Sequence, residues 1–334
     1  KHASTATCTL PIYMGFLMTE PNSISCTQLA ETYNISHDSV NRFLEREDYT
    51  PHDLYQEAIQ HIDNNKLIVS IDDTVLDKPY SQHMDLVSYF WSGKHHRSVK
   101  GINLITLYAT DQNGQNIPIN FRIYDKSEGK TKNDYFMDML SEVLSWGAKI
   151  QFITGDSWYS STGNLKTIRK YGIRFMFGID CNRKVSPEKG QWFQLRLLPN
   201  FHQGQVVWLK DFGFVQLFKT QLKEQQRFYI VHQDEDDLLS FEGFHELHSS
   251  HWKIEQYHRV IKQVCHIEKF QVRRSKLILN HIFSALMAYV EIQKNQFERI
   301  FENVYRWQKK LFRPMIKNFI DDFILDKNHL LPQR

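Results

Sequence analysis

The stretch Leu67-Ile-Val-Ser-Ile-Asp-Asp-Thr74 sets a short apolar run directly against two adjacent carboxylates. A run of this length, rich in β-branched residues, predicts a central strand over Leu67–Ile71. Carboxylates that terminate such a strand are costly unless they are paired or bind a cation, so the segment predicts a sheet and a site together. Alternation turns Asp72 and Asp73 to opposite faces of the strand, and periodicity leaves open which of them faces the site.

Ile153-Thr-Gly-Asp-Ser-Trp158 repeats the arrangement, with Asp156 closing a strand over Ile150–Thr154. A third carboxylate, Glu255, lies in His251-Trp-Lys-Ile-Glu-Gln-Tyr-His258, which reads as a helix. On that helix His248, His251, Glu255, Arg259 and Lys262 share one face, while Ile254, Tyr257, Ile261 and Val264 share another. One carboxylate among cations suits a metal ligand flanked by groups that hold phosphates; taken alone, the stripe equally describes an amphipathic surface helix.

The elements between these motifs have a definite order. Gly101 to Thr110 and Ile117 to Tyr124 flank an Asp111-Gln-Asn-Gly114 turn and read as a hairpin. A helix follows over about Asn133 to Trp146, then the Asp156 strand, a helix over Gly163 to Tyr171, and a strand over Arg174 to Ile179. The order β-β-β-α-β-α-β predicts an α/β chain with a ribonuclease-H-like mixed sheet and flanking helices. From Cys181 to about Phe244 the order is interrupted by strand candidates at Trp192–Leu197, Gln205–Leu209, Phe214–Phe218 and Arg227–Val231, an antiparallel β insertion. Beyond Ser249 the pattern is helical, with segments over Leu277–Phe297 and about Phe301–Phe312, before Pro314.

Ahead of the sheet, Thr27–Tyr33 and His37–Leu44 read as two short helices about a turn, with Ser36 as N-cap. The pair resembles a helix-turn-helix whose second helix would offer Ser39, Asn41 and Arg42 to DNA; the alternative is a packing role. The expected division is therefore a helical N-terminal DNA-binding domain at 1–62, a catalytic core at 63–180 and 248–295, a β-rich insertion at 181–247 and a helical C-terminal region at 296–334.

The 334 residues, 41% of them hydrophobic, suffice for a large core, and the net charge of +3 is uninformative as a whole. Its distribution is uneven: fourteen lysines and arginines stand against five acids between Ser249 and Lys317, either a polyanion-binding surface or a solvated helical face. Cys8, Cys26, Cys181 and Cys265 are far apart, which argues against a disulfide framework or a structural zinc site and fits a cytoplasmic protein. No apolar run has the length of a membrane span.

The set Ile71-Asp-Asp-Thr74, Thr154-Gly-Asp-Ser157 and Trp252-Lys-Ile-Glu-x-x-His-Arg-x-x-Lys262 resembles the insertion-sequence transposases of the DDE superfamily, in the branch with a β-rich insertion before the glutamate helix. The resemblance covers roughly Lys66 to Arg274. It implies a DNA transposase that cleaves transposon ends and joins the 3′-hydroxyl to target DNA by two-metal phosphodiester transfer, using Mg²⁺ with Mn²⁺ as a substitute. Asp73, Asp156 and Glu255 would be the catalytic and metal-binding triad, because the family's first aspartate directly precedes threonine; Asp72 is the fallback. The family's helix signature Tyr-x-x-Arg-x-x-x-Glu-x-x-x-x-x-x-Lys is matched by Glu255 and Lys262, with His248 and His251 where tyrosine and arginine are expected.

His248, His251, Lys253, Arg259 and Lys262 are then expected on DNA, with Lys269, Arg273 and Arg274 continuing the basic set. Lys78, Lys94, Arg97 and Lys100 are further candidates for backbone contacts. Trp192 and Trp208 are candidates for stacking on a flipped base, with core packing as the alternative. The implied partners are double-stranded terminal inverted repeats and target DNA, bound by a homodimer and no membrane, on nucleoid DNA in the cytoplasm. Two other readings compete: a domesticated DNA-binding protein that keeps the fold without cutting, and a host nuclease with a ribonuclease-H-like core.

Overall fold

The computed structural model describes residues 7–20, 24–93, 95–222, 225–233, 237–299 and 303–330. These divide into two compact units, one drawn from Lys1–Glu47, Val260–Gln271 and Asn280–Arg334, the other from Asp48–Arg259 and Val272–Leu279. The division differs from the four parts expected from sequence.

The first unit opens with helices α1 (Leu10–Thr19), α2 (Cys26–Tyr33) and α3 (His37–Arg46). Ser25 caps α2 by accepting from the Gln28 amide, and Ser36 caps α3 by accepting from the Ser39 amide. Asn34, left-handed at φ 53°, makes the turn between them. Leu29, Ala30, Val40, Phe43 and Leu44 are buried, so the expected pair of helices forms.

The second unit begins with α4 (Pro51–Ala58), closed by a Thr50–Asp53 capping box. It continues through strands β1 (Leu67–Asp77), β2 (Ser88–Ser92), β3 (Arg97–Thr110) and β4 (Asn116–Ile123), helix α5 (Lys132–Ser145), β5 (Ile150–Gly155), α6 (Thr162–Lys170) and β6 (Arg174–Ile179). Strands β7 (Lys184–Ser186), β8 (Phe193–Gln194), β9 (Gln205–Leu209), β10 (Gly213–Leu222) and β11 (Gln225–His232) follow. The remaining helices are α7 (Phe241–Gln263), α8 (Ser275–Phe297) and α9 (Val304–Leu330).

β1 is central. It pairs antiparallel with β3 and parallel with β5, β5 pairs parallel with β6, and both β2 and β4 lie along the far edge of β3. Three antiparallel strands followed by two parallel ones, with helices against the sheet, form the expected ribonuclease-H-like mixed sheet. The antiparallel insertion does not stand apart: β11 pairs with the outer edge of β6, and β10, β9, β7 and β8 extend the same sheet. Pairing there satisfies backbone groups that an open edge would expose.

Three expectations are corrected. Asp72 and Asp73 do not end their strand, because β3 pairs with β1 past both of them, opposing Asp72 to Thr106 and Asp73 to Ile105. Trp192–Leu197 is not a strand; only Phe193–Gln194 pairs, and Leu195–Leu197 is a 3₁₀ turn. The last helix does not stop before Pro314 but carries it inside α9.

The face of the second unit that receives α7 is apolar and aromatic. Phe244 stacks on Phe218 with ring centroids 4.4 Å apart, and Leu247, Phe152, Met176, Tyr229 and Val231 complete the cluster. Further along, Ile254 and Tyr257 are fully buried, and Tyr257 lies on Tyr108 of β3 at 4.8 Å. This seam fixes the helix that carries Glu255 against the strands that carry the aspartates.

Candidate metal centre

Register brings the first two carboxylates together. Ile71 of β1 lies beside Gly155 of the parallel β5, so the next residues on each, Asp72 and Asp156, emerge side by side. The approach needs glycine at two places: a Cβ on Gly155 would come within 2.6 Å of the Phe177 ring and 2.7 Å of Ile71, and one on Gly178 would meet the Ser157 amide at 3.0 Å. Beyond Gly155 the chain turns through a 3₁₀ segment, Ser157–Tyr159, with the Asp156 carboxylate accepting from the Trp158 amide at 3.0 Å.

The two neighbouring aspartates have different surroundings. Asp73 is met by three side-chain donors: Asn103 Nδ2 at 2.6 Å, Lys132 Nζ at 2.7 Å and Tyr159 Oη at 2.9 Å. Lys132 comes from the first turn of α5, which starts there because Thr131 and Asp134 form a capping box. Asp72 accepts from the Asp73 amide at 2.8 Å and otherwise faces α7. His258 Nδ1 stands 3.7 Å from Asp72 Oδ2. Among the described residues, Asp72, Glu255 and His258 offer one ligand atom each within 4.8 Å of one another.

The electrostatics match this geometry. Burial, then the charges of Asp156, Asp73 and Glu255, push the Asp72 carboxyl well above the ordinary carboxylate range. Asp156 keeps an exposed surface, yet crowding by protein, reinforced by Asp73, pushes it up to about 6 against the lowering effect of the Trp158 and Tyr159 amides and Lys132. Four carboxylates thus converge, with Lys132 bonded to Asp73 and acting on Asp156, and a divalent cation would balance the charge of such a donor set. Oxygen donors of this kind suit Mg²⁺ or Mn²⁺, so the residues present fit such an ion.

The expected DNA contacts have varied placements. Arg259, Lys269, Arg273 and Arg274 are exposed and Lys262 is half-buried, 3.8 Å from Glu268. Lys253 is half-buried and donates to the Gly114 carbonyl at 3.1 Å. His248 meets the Tyr229 hydroxyl at 3.0 Å, and His251 meets the Thr154 hydroxyl at 3.2 Å. Burial lowers the His248 imidazole and takes His251 down to about 4. His251 is therefore neutral near neutral pH and burial disfavours the charged form of His248, which differs from the expectation that they grip phosphate. A His248→Gln, His251→Gln double variant is therefore expected to keep the parent's pH dependence of DNA binding between about pH 6 and 8, read by fluorescence anisotropy. A flattened dependence would show that these imidazoles do charge.

In the helix-turn-helix pair, Arg42 is exposed and Asn41 half-buried against His37, but Ser39 is turned inward, where its hydroxyl accepts from the Cys8 amide at 2.9 Å. Trp192 and Trp208 are both partly exposed, Trp208 with its ring edge-on to Phe214 at 4.9 Å. Arg97 is exposed, Lys100 donates to the Ser81 carbonyl, Lys78 is buried, and Lys94 lies outside the described residues.

Sequence reasoning missed four residues of the centre: Lys132, Tyr159, His258 and Trp158. The first two gave no signal, since their partner lies 59 and 86 residues away. His258 was legible as the fourth residue of Glu255-x-x-His258 on one helix face. Trp158, 61% exposed two residues after Asp156, has Lys132 Nζ at 5.5 Å from its ring.

The comparisons follow the same lines. The model of the transposase DDE domain matches residues 63–290. No curated protein matches the chain. A solved structure of Marinitoga piezophila Argonaute, in complex with 5′ OH guide RNA and target DNA, is similar at a TM-score of 0.22 and 9% identity, over 70% of this chain and 33% of that one. The chain thus spans about a third of that structure, and a likeness so weak supports nothing further. Among the described residues no helix is long and apolar enough to cross a membrane. The matched segment takes in every carboxylate of the centre and most of the 334 residues, and the chain belongs to the transposase DDE-domain family.

Proposed function

We propose that the protein is a metal-dependent DNA transposase that cuts transposon ends and joins the freed 3′-hydroxyl to target DNA. The observation that carries this reading is the convergence of Asp72, Asp73, Asp156 and Glu255, with burial and mutual repulsion raising Asp72 and Asp156. We assign Asp72, Asp156 and Glu255 as the residues that hold divalent cations, and Asp73 as a brace whose oxygens are taken by Asn103, Lys132 and Tyr159. Bound Mg²⁺ or Mn²⁺ supplies Lewis-acid stabilisation of charge on the phosphate and activation of the attacking oxygen.

The protein's own groups have distinct tasks. Tyr159 and Lys132 donate to the Asp73 carboxylate and fix it, which holds the β1 backbone on which Asp72 sits. Lys132 and the exposed ring of Trp158 flank Asp156 and suit the phosphate and base of a nucleotide entering there. Arg259, Arg273, Arg274 and Arg42 supply exposed positive charge for the DNA backbone. A second copy, pairing two transposon ends, completes the proposed assembly.

The test is cleavage of terminal-repeat DNA in Mg²⁺ by the parent, Asp156→Ala and Glu255→Ala at matched DNA occupancy. Cutting by the parent alone, with binding kept in all three, is the expected result. Binding without cutting by the parent, in Mg²⁺ and in Mn²⁺, would replace this reading with that of a non-cleaving DNA-binding protein. Cutting without preference for the terminal repeats would replace it with that of a general nuclease.

A further inference from the structure

We infer that His258 is a nitrogen donor to the cation held by Asp72 and Glu255, and that the centre selects a first-row transition ion, Mn²⁺ among them, over Mg²⁺. The inference rests on the proposed metal centre and adds a ligand and a metal preference to it.

Three observations lead there. Glu255 and His258 are spaced i, i+3 on α7, so their side chains leave the same helix face, and a Glu-x-x-His pair is a recurrent way for a helix to present one oxygen and one nitrogen to a metal. His258 is 6% exposed, and one of its ring nitrogens lies within 4.8 Å of ligand atoms of both Asp72 and Glu255. Its Nδ1 lies 3.7 Å from Asp72 Oδ2, too far for a hydrogen bond. Two donors that each sit about 2.1 Å from one ion are roughly 3–4.2 Å apart, and the His258–Asp72 separation falls within that range.

The donor chemistry then sets the preference. Mg²⁺ takes oxygen ligands and gives up its waters reluctantly, so an imidazole contributes little to holding it. First-row divalent ions accept imidazole nitrogen, and affinity for such mixed sites rises along the series from Mn²⁺. Two carboxylates and one imidazole therefore discriminate where three carboxylates would not.

Mn²⁺ alone, added to the DNA-free 334-residue chain, reads this directly by electron paramagnetic resonance. The pulsed spectrum of the parent is expected to show modulation from a directly bound ¹⁴N, and His258→Gln is expected to lose it. Mn²⁺ affinity should fall in that variant by at least the roughly 10–100-fold that follows loss of even an outer-shell partner, while Mg²⁺ affinity, from competition, changes little. Circular dichroism on His258→Gln and His258→Asn identifies a variant that keeps its fold.

A parent spectrum without nitrogen modulation, or modulation that survives in a folded His258 variant, would overturn the inference while leaving the carboxylate centre standing. Undiminished Mn²⁺ binding by Asp72→Asn and Glu255→Gln would instead overturn the centre itself, and the inference with it.

Discussion

Asp72→Asn is expected to lose metal-dependent DNA cleavage by about 10³-fold or more, the several kcal/mol of transition-state stabilisation that a bound divalent ion provides, while DNA affinity stays within a few-fold of the parent's. Asp73→Asn is expected to behave differently. Its carboxylate receives Lys132, Asn103 and Tyr159, so the amide leaves the Lys132 ammonium, itself largely buried, without its counter-charge. Loss of charge-assisted hydrogen bonds of this kind costs about 2–3 kcal/mol, so Asp73→Asn should unfold at lower denaturant than the parent, whereas Asp72→Asn should not. Metal titration separates the two further, since only Asp72→Asn should weaken Mn²⁺ binding directly. A severe cleavage defect in Asp73→Asn with unchanged stability and unchanged metal affinity would reverse the assignment and restore the aspartate directly before threonine as the ligand.

The contrast between these neighbours shows what a sequence discloses and what it withholds. Alternation along β1 put Asp72 and Asp73 on opposite faces, and the faces do differ: one turns toward α7, the other toward the start of α5. Which face holds the site depends on partners far along the chain, and no local pattern carries that. The strands over Leu67–Ile71, Ile150–Thr154 and Arg174–Ile179 were legible because apolar runs of that length bury on both faces. The strand beyond Asp73 was not, because its polar residues are tolerated only where β3 pairs with them. The stripe on α7 was legible as a face, but not the direction of each member. His251 sits in the stripe with Glu255, yet it bonds to Thr154 on β5 and stays neutral, while Glu255 remains exposed at the cluster. The insertion was legible as antiparallel strands; its continuity with the sheet was not, since an edge on β6 becomes visible only once the strand order is known.

The burial and mutual repulsion that raise these carboxyls should also be measurable as stability in the absence of metal. The Asp156 carboxyl titrates at about 6 when folded and near 3.8 when unfolded, so the folded protein binds the extra proton in between. Its contribution to stability is complete below the unfolded value and is lost as pH rises through about 6; Asp72, raised in the same direction, adds to the effect. A shift of that size in a dry site corresponds to about 3 kcal/mol, and solvent at the exposed side of Asp156 screens this to about 1–2 kcal/mol. Asp156→Asn, which still accepts from the Trp158 amide, is therefore expected to melt roughly 2–6 °C above the metal-free parent near pH 7.5, with the gap closing toward about pH 5. Mg²⁺ or Mn²⁺ should raise the parent's midpoint near pH 7.5, above the value of about 6 to which Asp156 is pushed, and have little effect near pH 5, where protons compete for the same oxygens. Differential scanning calorimetry at several pH values, with and without metal, checks both limbs. A parent that is more stable than Asp156→Asn in metal-free buffer near pH 7.5 would mean that the carboxylates are already balanced by protein cations, and the case for a divalent ion at this centre would fall.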